Sequence, residues 1–166
     1  IVTGAGTGIG KAVTLALLRD GYRVALAGRR REPLEQTAGQ SREPARALVV
    51  PTDVSDAGAV QALFARVKEG FGRLDLLFNN AGICAYGLAH ELKESEWDNM
   101  LDINLKGAWL VARRIIPIMI KQKSGVILNN SSVLGLRGAN RLSHYVAAKW
   151  GLTGLTKSWA IELAQY

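Results

Sequence analysis

Tyr145 and Lys149 stand four positions apart in Ser143-His144-Tyr145-Val146-Ala147-Ala148-Lys149-Trp150. They lie within Leu142 to Leu163, a run rich in helix formers and free of proline. On a helix, positions i and i+4 share a face about one turn apart. The pair therefore presents a phenol and an ammonium to the same place. A free phenol has a pKa of about 10, too high to trade protons well near neutrality. A fixed positive charge nearby favours the phenolate and lowers that value. This chemistry makes Tyr145 a general acid/base and Lys149 its tuner. His144 points about 100° away from Tyr145 on such a helix and reads as structural or solvent-facing.

A second group of residues suits a nucleotide. Thr3-Gly4-Ala5-Gly6-Thr7-Gly8-Ile9-Gly10 follows an apolar stub and precedes a helical pattern. Backbone N–H groups and a helix N-terminus there supply positive potential, and missing Cβ atoms admit a pyrophosphate. The pattern is T-G-x-x-x-G-I-G rather than G-x-G-x-x-G, with Gly4, Gly8 and Gly10 as its glycines. In such folds an acid about 20 residues beyond the turn accepts from a ribose 2′-OH and selects NAD. Here the next apolar run ends in Gly28-Arg29-Arg30-Arg31. Guanidinium groups suit bidentate phosphate contacts, so Arg29, with Arg30, is read as a 2′-phosphate binder and the cofactor as NADP. NAD remains the alternative if the arginines are merely solvated. Asp53-Val54 closes the third apolar run, and Asp53 either accepts from an adenine amino group or caps the following helix. Asn79-Asn80-Ala81-Gly82 closes the fourth, where amides can stitch strand ends and small residues leave room for a flat ligand.

Apolar runs alternate with helical patterns along the chain, which argues for βαβ units around a parallel sheet, an α/β fold. The patterns predict strands at Ile1-Val2, Arg23 to Ala27, Leu48 to Val50, Leu74 to Phe78 and Val126 to Asn129. Helices are expected at Lys11 to Arg19, with Gly21 as its cap, and at Glu32 to Gln40 and Ala57 to Glu69. Trp97 to Ile120 reads as one long helix bent at Pro117. The helix of Tyr145 and Lys149 comes last.

The chain has 166 residues, 48% hydrophobic and 21% charged, enough for a single domain, 1–166, of globular character. The longest apolar stretch, Gly107 to Ile120, is broken by Arg113, Arg114 and Pro117, so no membrane span is expected. Cys84 is the only cysteine, which rules out an internal disulfide and suits a reducing, cytoplasmic setting. A net charge of +7 raises nucleic acid as a partner. The basic residues are scattered, however, and no basic stripe or known nucleic-acid motif is present, so none is expected. His90 and Cys84 have no ligand spacing with any other residue, and no metal is expected. Ser132 is not in a G-x-S-x-G setting, which argues against a hydrolase.

Taken in order, these motifs resemble the short-chain dehydrogenase/reductase family. The matching residues are Thr3-Gly4-(x3)-Gly8-Ile9-Gly10, Asp53-Val54, Asn79-Asn80-Ala81-Gly82, Asn104, Ser131-Ser132 and Tyr145-(x3)-Lys149. The resemblance implies a Rossmann-like doubly wound sheet with helices on both faces, and hydride transfer between NADP(H) and an alcohol or carbonyl. It implies a catalytic set of Asn104, Ser132, Tyr145 and Lys149. Ser132, thirteen positions before Tyr145, is chosen over Ser131. Ser132 would hydrogen-bond the reacting oxygen, and Lys149 would also hold the nicotinamide ribose. Asn104 would bind a water linked to Lys149. Cofactor contacts are expected from Gly4, Thr7, Gly8, Ile9, Gly10, Arg29, Arg30, Asp53, Val54, Asn80, Ala81, Gly82, Tyr145 and Lys149. A small carbonyl or alcohol is the expected partner, its pocket lined by Leu134, Leu136, Val146 and Tyr86 unless these belong to the core. The family's habit implies a homotetramer or homodimer through the long helices that carry Trp97, Trp109, Trp150 and Trp159. A non-catalytic nucleotide-binding or scaffold protein is the rival class; it has no need for all four catalytic positions. The short first strand and the uncapped last helix lead to a further expectation. Residues 1–166 would be a fragment lacking the start of that strand and later strands, and poorly soluble or inactive alone.

Overall fold

The computed structural model describes residues 1–166. Five parallel strands form one sheet: β1 (Val2–Thr3), β2 (Val24–Gly28), β3 (Ala47–Pro51), β4 (Leu76–Asn79) and β5 (Val126–Asn129). Their order is β3-β2-β1-β4-β5. The helices are α1 (Gly8–Arg19), α2 (Arg31–Gly39), α3 (Ala57–Phe71), α4 (Glu94–Leu101), α5 (Gly107–Gln122) and α6 (Ser143–Leu163).

Parallel strands covered on both faces should be apolar throughout, and Val24, Ala25, Leu26 and Ala27 of β2 are all buried. Alternation divides them. Val24 and Leu26 join Val2, Leu18 and Leu34 on the face covered by α1 and α2. Ala25 and Ala27 join Leu63, Leu77, Val111 and Ile115 on the face covered by α3 and α5. Burial of each such Leu or Ile contributes about 1.5–3 kcal/mol.

The chain reverses direction in the sheet between β1 and β4. Crossovers lead outward through β2 and β3 on one side and through β4 and β5 on the other. Such a switch point opens a crevice at the strands' C-terminal ends. The two-residue β1 holds its central place through both neighbours. Val2 is in register with Leu26 and with Phe78, and the Phe78 N–H donates to the Ile1 carbonyl.

Three expectations need correction. The long helix is not continuous: α4 and α5 are separated by a π-helical turn, Asp102–Lys106. Asn104 sits in it, and its amide bonds to main chain across the turn favour the widened geometry. Pro117, by contrast, lies within α5, which runs on to Gln122. Asp53 does not cap α3: that role belongs to Asp56, whose carboxylate accepts from the Gly58 and Ala59 N–H groups. His144 is fully buried, so the solvent-facing option fails. Elsewhere the limits of elements move by up to three residues, as at α1, which begins at Gly8. Gly21 sits one residue past the Asp20 cap. With Tyr22 it closes α1 by donating to Leu18 and Leu17 carbonyls. No helix is long and apolar enough to cross a membrane.

Candidate active site

The glycine turn joins β1 to α1. Gly4 has φ +66° and Gly8 φ +52°, left-handed conformations that a side chain would strain. Gly10 is excluded from larger residues by contact: a Cβ there would meet the Gly4 carbonyl oxygen and Asn80 Nδ2. Thr7 precedes α1 with extended backbone, and the first turn of α1 holds no acid. The positive end of that helix is therefore not neutralised by its own residues.

A cleft of about 140 Å³ opens beside this turn, lined by Gly4, Thr7, Arg29, Arg30, Asp53, Val54, Ala81 and Gly82 among others. These eight were expected at a cofactor from the sequence. Gly8, Ile9 and Gly10 shape the turn without lining the cleft, and Ile9 is 60% exposed. The three arginines divide. Arg29 and Arg30 face the cleft, whereas Arg31 pairs with Glu35 one turn along α2, 3.3 Å away. Asp53 accepts from the Ser55 hydroxyl at 2.7 Å and from its N–H at 2.9 Å. The Ser55 hydroxyl bond, with help from the Arg29 charge, holds the Asp53 carboxyl below its ordinary range. The missing Cβ atoms, the unneutralised helix end and the guanidinium groups of Arg29 and Arg30 fit a dinucleotide.

The cleft also contains residues that the sequence reading did not assign, Thr52, Ile83 and Ile103 among them. Thr3 was missed as well. Its hydroxyl oxygen accepts from both the Asn80 and Ala81 N–H groups at 2.9 Å, fixing the strand-end loop against β1. Residues 77 and 78 positions apart carry no common periodic signal; only strand pairing joins them.

On the other side of the switch point, α6 carries Tyr145 and Lys149. Lys149 is only 6% exposed. Its ammonium donates to the Asn130 carbonyl at 2.8 Å and lies 5.6 Å from the centroid of the Tyr145 ring. Burial pushes its pKa below the ordinary lysine value, opposed in part by Cys84. The two serines after β5 are distinguished by what they touch. Ser131 Oγ donates to the Lys149 carbonyl at 3.2 Å and meets Thr153 Oγ1 at 3.0 Å, so it braces α6. Ser132 Oγ accepts from the Leu134 N–H at 3.1 Å, which leaves its own proton for another acceptor.

Asn104 is buried, and both ends of its amide are engaged. Nδ2 donates to the Ile83 and Met100 carbonyls, and Oδ1 accepts from the Ile83 N–H. It clamps the loop after β4 to the π turn. Leu136 and Tyr86 are 66% and 71% exposed and so do not belong to the core. The loops that carry them are joined by a hydrogen bond from the Gly87 N–H to the Arg141 carbonyl. Of the four tryptophans, Trp97, Trp109 and Trp150 are exposed, whereas Trp159 packs against the core.

The short chain dehydrogenase family model matches residues 1–166. The chain belongs to this family. It is 38% identical over 165 residues to the 3-oxoacyl-(acyl-carrier-protein) reductase FabG of Thermotoga maritima, covering 99% of this chain and 67% of that protein. A short chain dehydrogenase from Bacillus anthracis superposes with a TM-score of 0.95 at 29% identity, over 99% of this chain and 69% of that one. An actinorhodin polyketide ketoreductase crystallised with NADPH superposes with a TM-score of 0.94 at 34% identity, over 98% and 64%. This chain spans about two thirds of the length of these relatives. The Rossmann-like sheet expected from the motifs is the fold these family members share.

Proposed function

We propose that this dehydrogenase-family chain transfers hydride between NADP(H) and an alcohol or carbonyl substrate, with Tyr145 as general acid/base. The observation that carries the reading is one crevice at the switch point. The glycine turn lines it with Arg29 and Arg30; Tyr145 and Lys149 are not among its lining residues, and Lys149 is anchored to the Asn130 carbonyl just past β5. The two arginines, unopposed by an acid at the end of β2, favour a 2′-phosphate over a bare ribose hydroxyl. When bound, the reduced nicotinamide supplies the hydride.

The chain's own residues handle the proton and the oxygen. In reduction, Tyr145 gives its phenolic proton to the carbonyl oxygen as the adjacent carbon gains the hydride; in oxidation it takes the hydroxyl proton. The Lys149 ammonium stabilises negative charge developing on the phenol oxygen. Ser132 donates its free proton to the same substrate oxygen. Asn104 keeps the Ile83 segment at the wall of the cleft through its amide, and the second lone pair of Oδ1 or its main-chain carbonyl would accept from the water linked to Lys149. Tyr86 and Leu136 offer exposed apolar surface on the two joined loops, suited to the body of the substrate. The exposed Trp97, Trp109 and Trp150 on α4, α5 and α6 suit contact with a second copy.

The test follows absorbance at the reduced-nicotinamide band with a panel of ketones and either NADPH or NADH. Turnover with NADPH exceeding that with NADH supports the reading. Binding of NADPH without turnover on any carbonyl would favour a nucleotide-binding protein instead.

A further inference from the structure

Two side-chain amides connect the underside of the glycine turn to the Lys149 ammonium. Asn80 Nδ2 donates to the Thr3 carbonyl at 3.0 Å, and its amide lies where Cβ atoms on Gly4 or Gly10 would fall, 2.9 and 2.6 Å away. Asn80 Oδ1 accepts from Asn130 Nδ2 at 2.9 Å. The main-chain carbonyl of Asn130 then accepts from Lys149 Nζ at 2.8 Å. The Asn130 N–H donates to the Asn79 carbonyl at 2.8 Å, the last hydrogen bond from β5 to β4 before the chain leaves the sheet. Beyond that point the orientation of the next peptide is no longer set by a strand ladder.

We propose that the Asn130 side chain is a positioning residue for Lys149. Bridged to Asn80, it fixes the carbonyl on which the ammonium rests and ties that carbonyl to the glycine turn. The consequence for catalysis rests on the dehydrogenase reading above; the positional claim does not. A buried ammonium with solvent largely excluded is located by its acceptor. Here that acceptor is a neutral carbonyl at a strand end rather than a carboxylate. A displacement of about 1 Å in a catalytic constellation can cost up to about a hundred-fold in rate. Without the bridge, Asn80 Oδ1 loses its donor, and the peptide after Asn130 is held on the β5 side only by the Ser131 N–H, which donates to the Asn129 carbonyl at 3.0 Å. Asn80 could instead serve only to brace the sheet, but such a brace does not require Asn130 to supply the donor. The Asn79–Asn129 amide pair, 2.9 Å apart, already links the same two strands one residue earlier.

The experiment compares wild type with Asn130→Leu, which keeps the volume and removes the donor. Asn130→Thr is the second variant if Leu impairs folding. The first readout is the titration of Lys149 by carbon-13 NMR of labelled lysine without cofactor. Tyr145 on α6 and Cys84 on the loop after β4 are the titratable groups facing it, so the series is run in a Cys84→Ser background. The Lys149 midpoint is expected to move down, because a buried ammonium has lost a fixed acceptor. The second readout is turnover with NADPH. A fall in kcat of about ten-fold is expected, with KM changed less than two-fold, and it should vanish when Lys149→Met is already present. An unmoved Lys149 midpoint in the folded variant overturns the proposal. So does an equal loss of kcat with and without Lys149. If wild type has no turnover, the dehydrogenase reading fails, and the titration still decides the positional claim.

Discussion

Adding one methyl at Gly10 tests whether the glycine turn and Asn80 are packed as described. A Cβ on Gly10 would contact the Gly4 carbonyl oxygen and lie 2.8 Å from the Gly4 carbonyl carbon and 2.6 Å from Asn80 Nδ2. Apolar contacts are comfortable at about 3.5–4.0 Å, so relief needs a movement of about 1 Å. Neither neighbour can give way cheaply. Gly4 is committed to φ +66°, and Asn80 is held by the Thr3 carbonyl and by Asn130. Overpacking of this kind costs about 1–3 kcal/mol, and a backbone obstruction belongs at the upper end. Alanine recovers part of this, up to about 1 kcal/mol, through its helix propensity. Gly10→Ala should therefore lose about 1–2 kcal/mol net. Gly39 is the control. It ends α2 at a negative φ with nothing within 4 Å of its missing Cβ, so Gly39→Ala should gain about 0.5–1 kcal/mol. The two variants should differ by about 1.5–3 kcal/mol, or about 3–12 °C in Tm for a chain of this size. Thermal scans by circular dichroism read the difference directly. If Gly10→Ala matches Gly39→Ala, the close approach of turn, Asn80 and α1 is wrong, and with it the geometry assigned to the cofactor crevice.

Three other outcomes are expected. Tyr145→Phe keeps the ring but has no proton to give, so turnover should fall by about 10²–10⁴ while NADPH binding persists; near-normal turnover would remove Tyr145 from its role. Arg29→Ala should weaken NADPH binding by about 1.5–3 kcal/mol and leave NADH nearly unchanged, and titration calorimetry showing equal losses for both would refute the 2′-phosphate assignment. Burial lowers the Lys149 pKa in the folded chain, so the unfolded chain binds more protons between the folded value and the unfolded value of about 10.4. Stability contributed by Lys149 therefore rises with pH through that window and is lost as pH falls through the folded value. Urea denaturation of wild type against Lys149→Met should show their difference changing in that direction, and a flat difference would show that burial does not perturb this group.

Much of this protein was legible as linear pattern. The alternation of apolar runs with helical stretches determined an α/β chain, because strand and helix periods are local properties of neighbouring residues. The glycine turn, Arg29 to Arg31, Asp53 and the Tyr145–Lys149 pair could each be found without a structure, since their chemistry lies in residue types a few positions apart. Contacts between distant segments were decided only by the tertiary structure. Which arginines face the cleft depends on α2 taking Arg31 toward Glu35. That Asp56 rather than Asp53 caps α3 depends on where the helix begins. The π turn at Asn104 depends on the Ile83 main chain arriving beside it, and the environment of Lys149 depends on β5 ending under α6. Thr3 with Asn80, and Asn80 with Asn130, meet because parallel strands bring their C-terminal ends together across 50 to 77 residues of chain. A hydrogen bond across that distance leaves no period in the sequence, because the intervening crossover can vary while the strand ends stay adjacent.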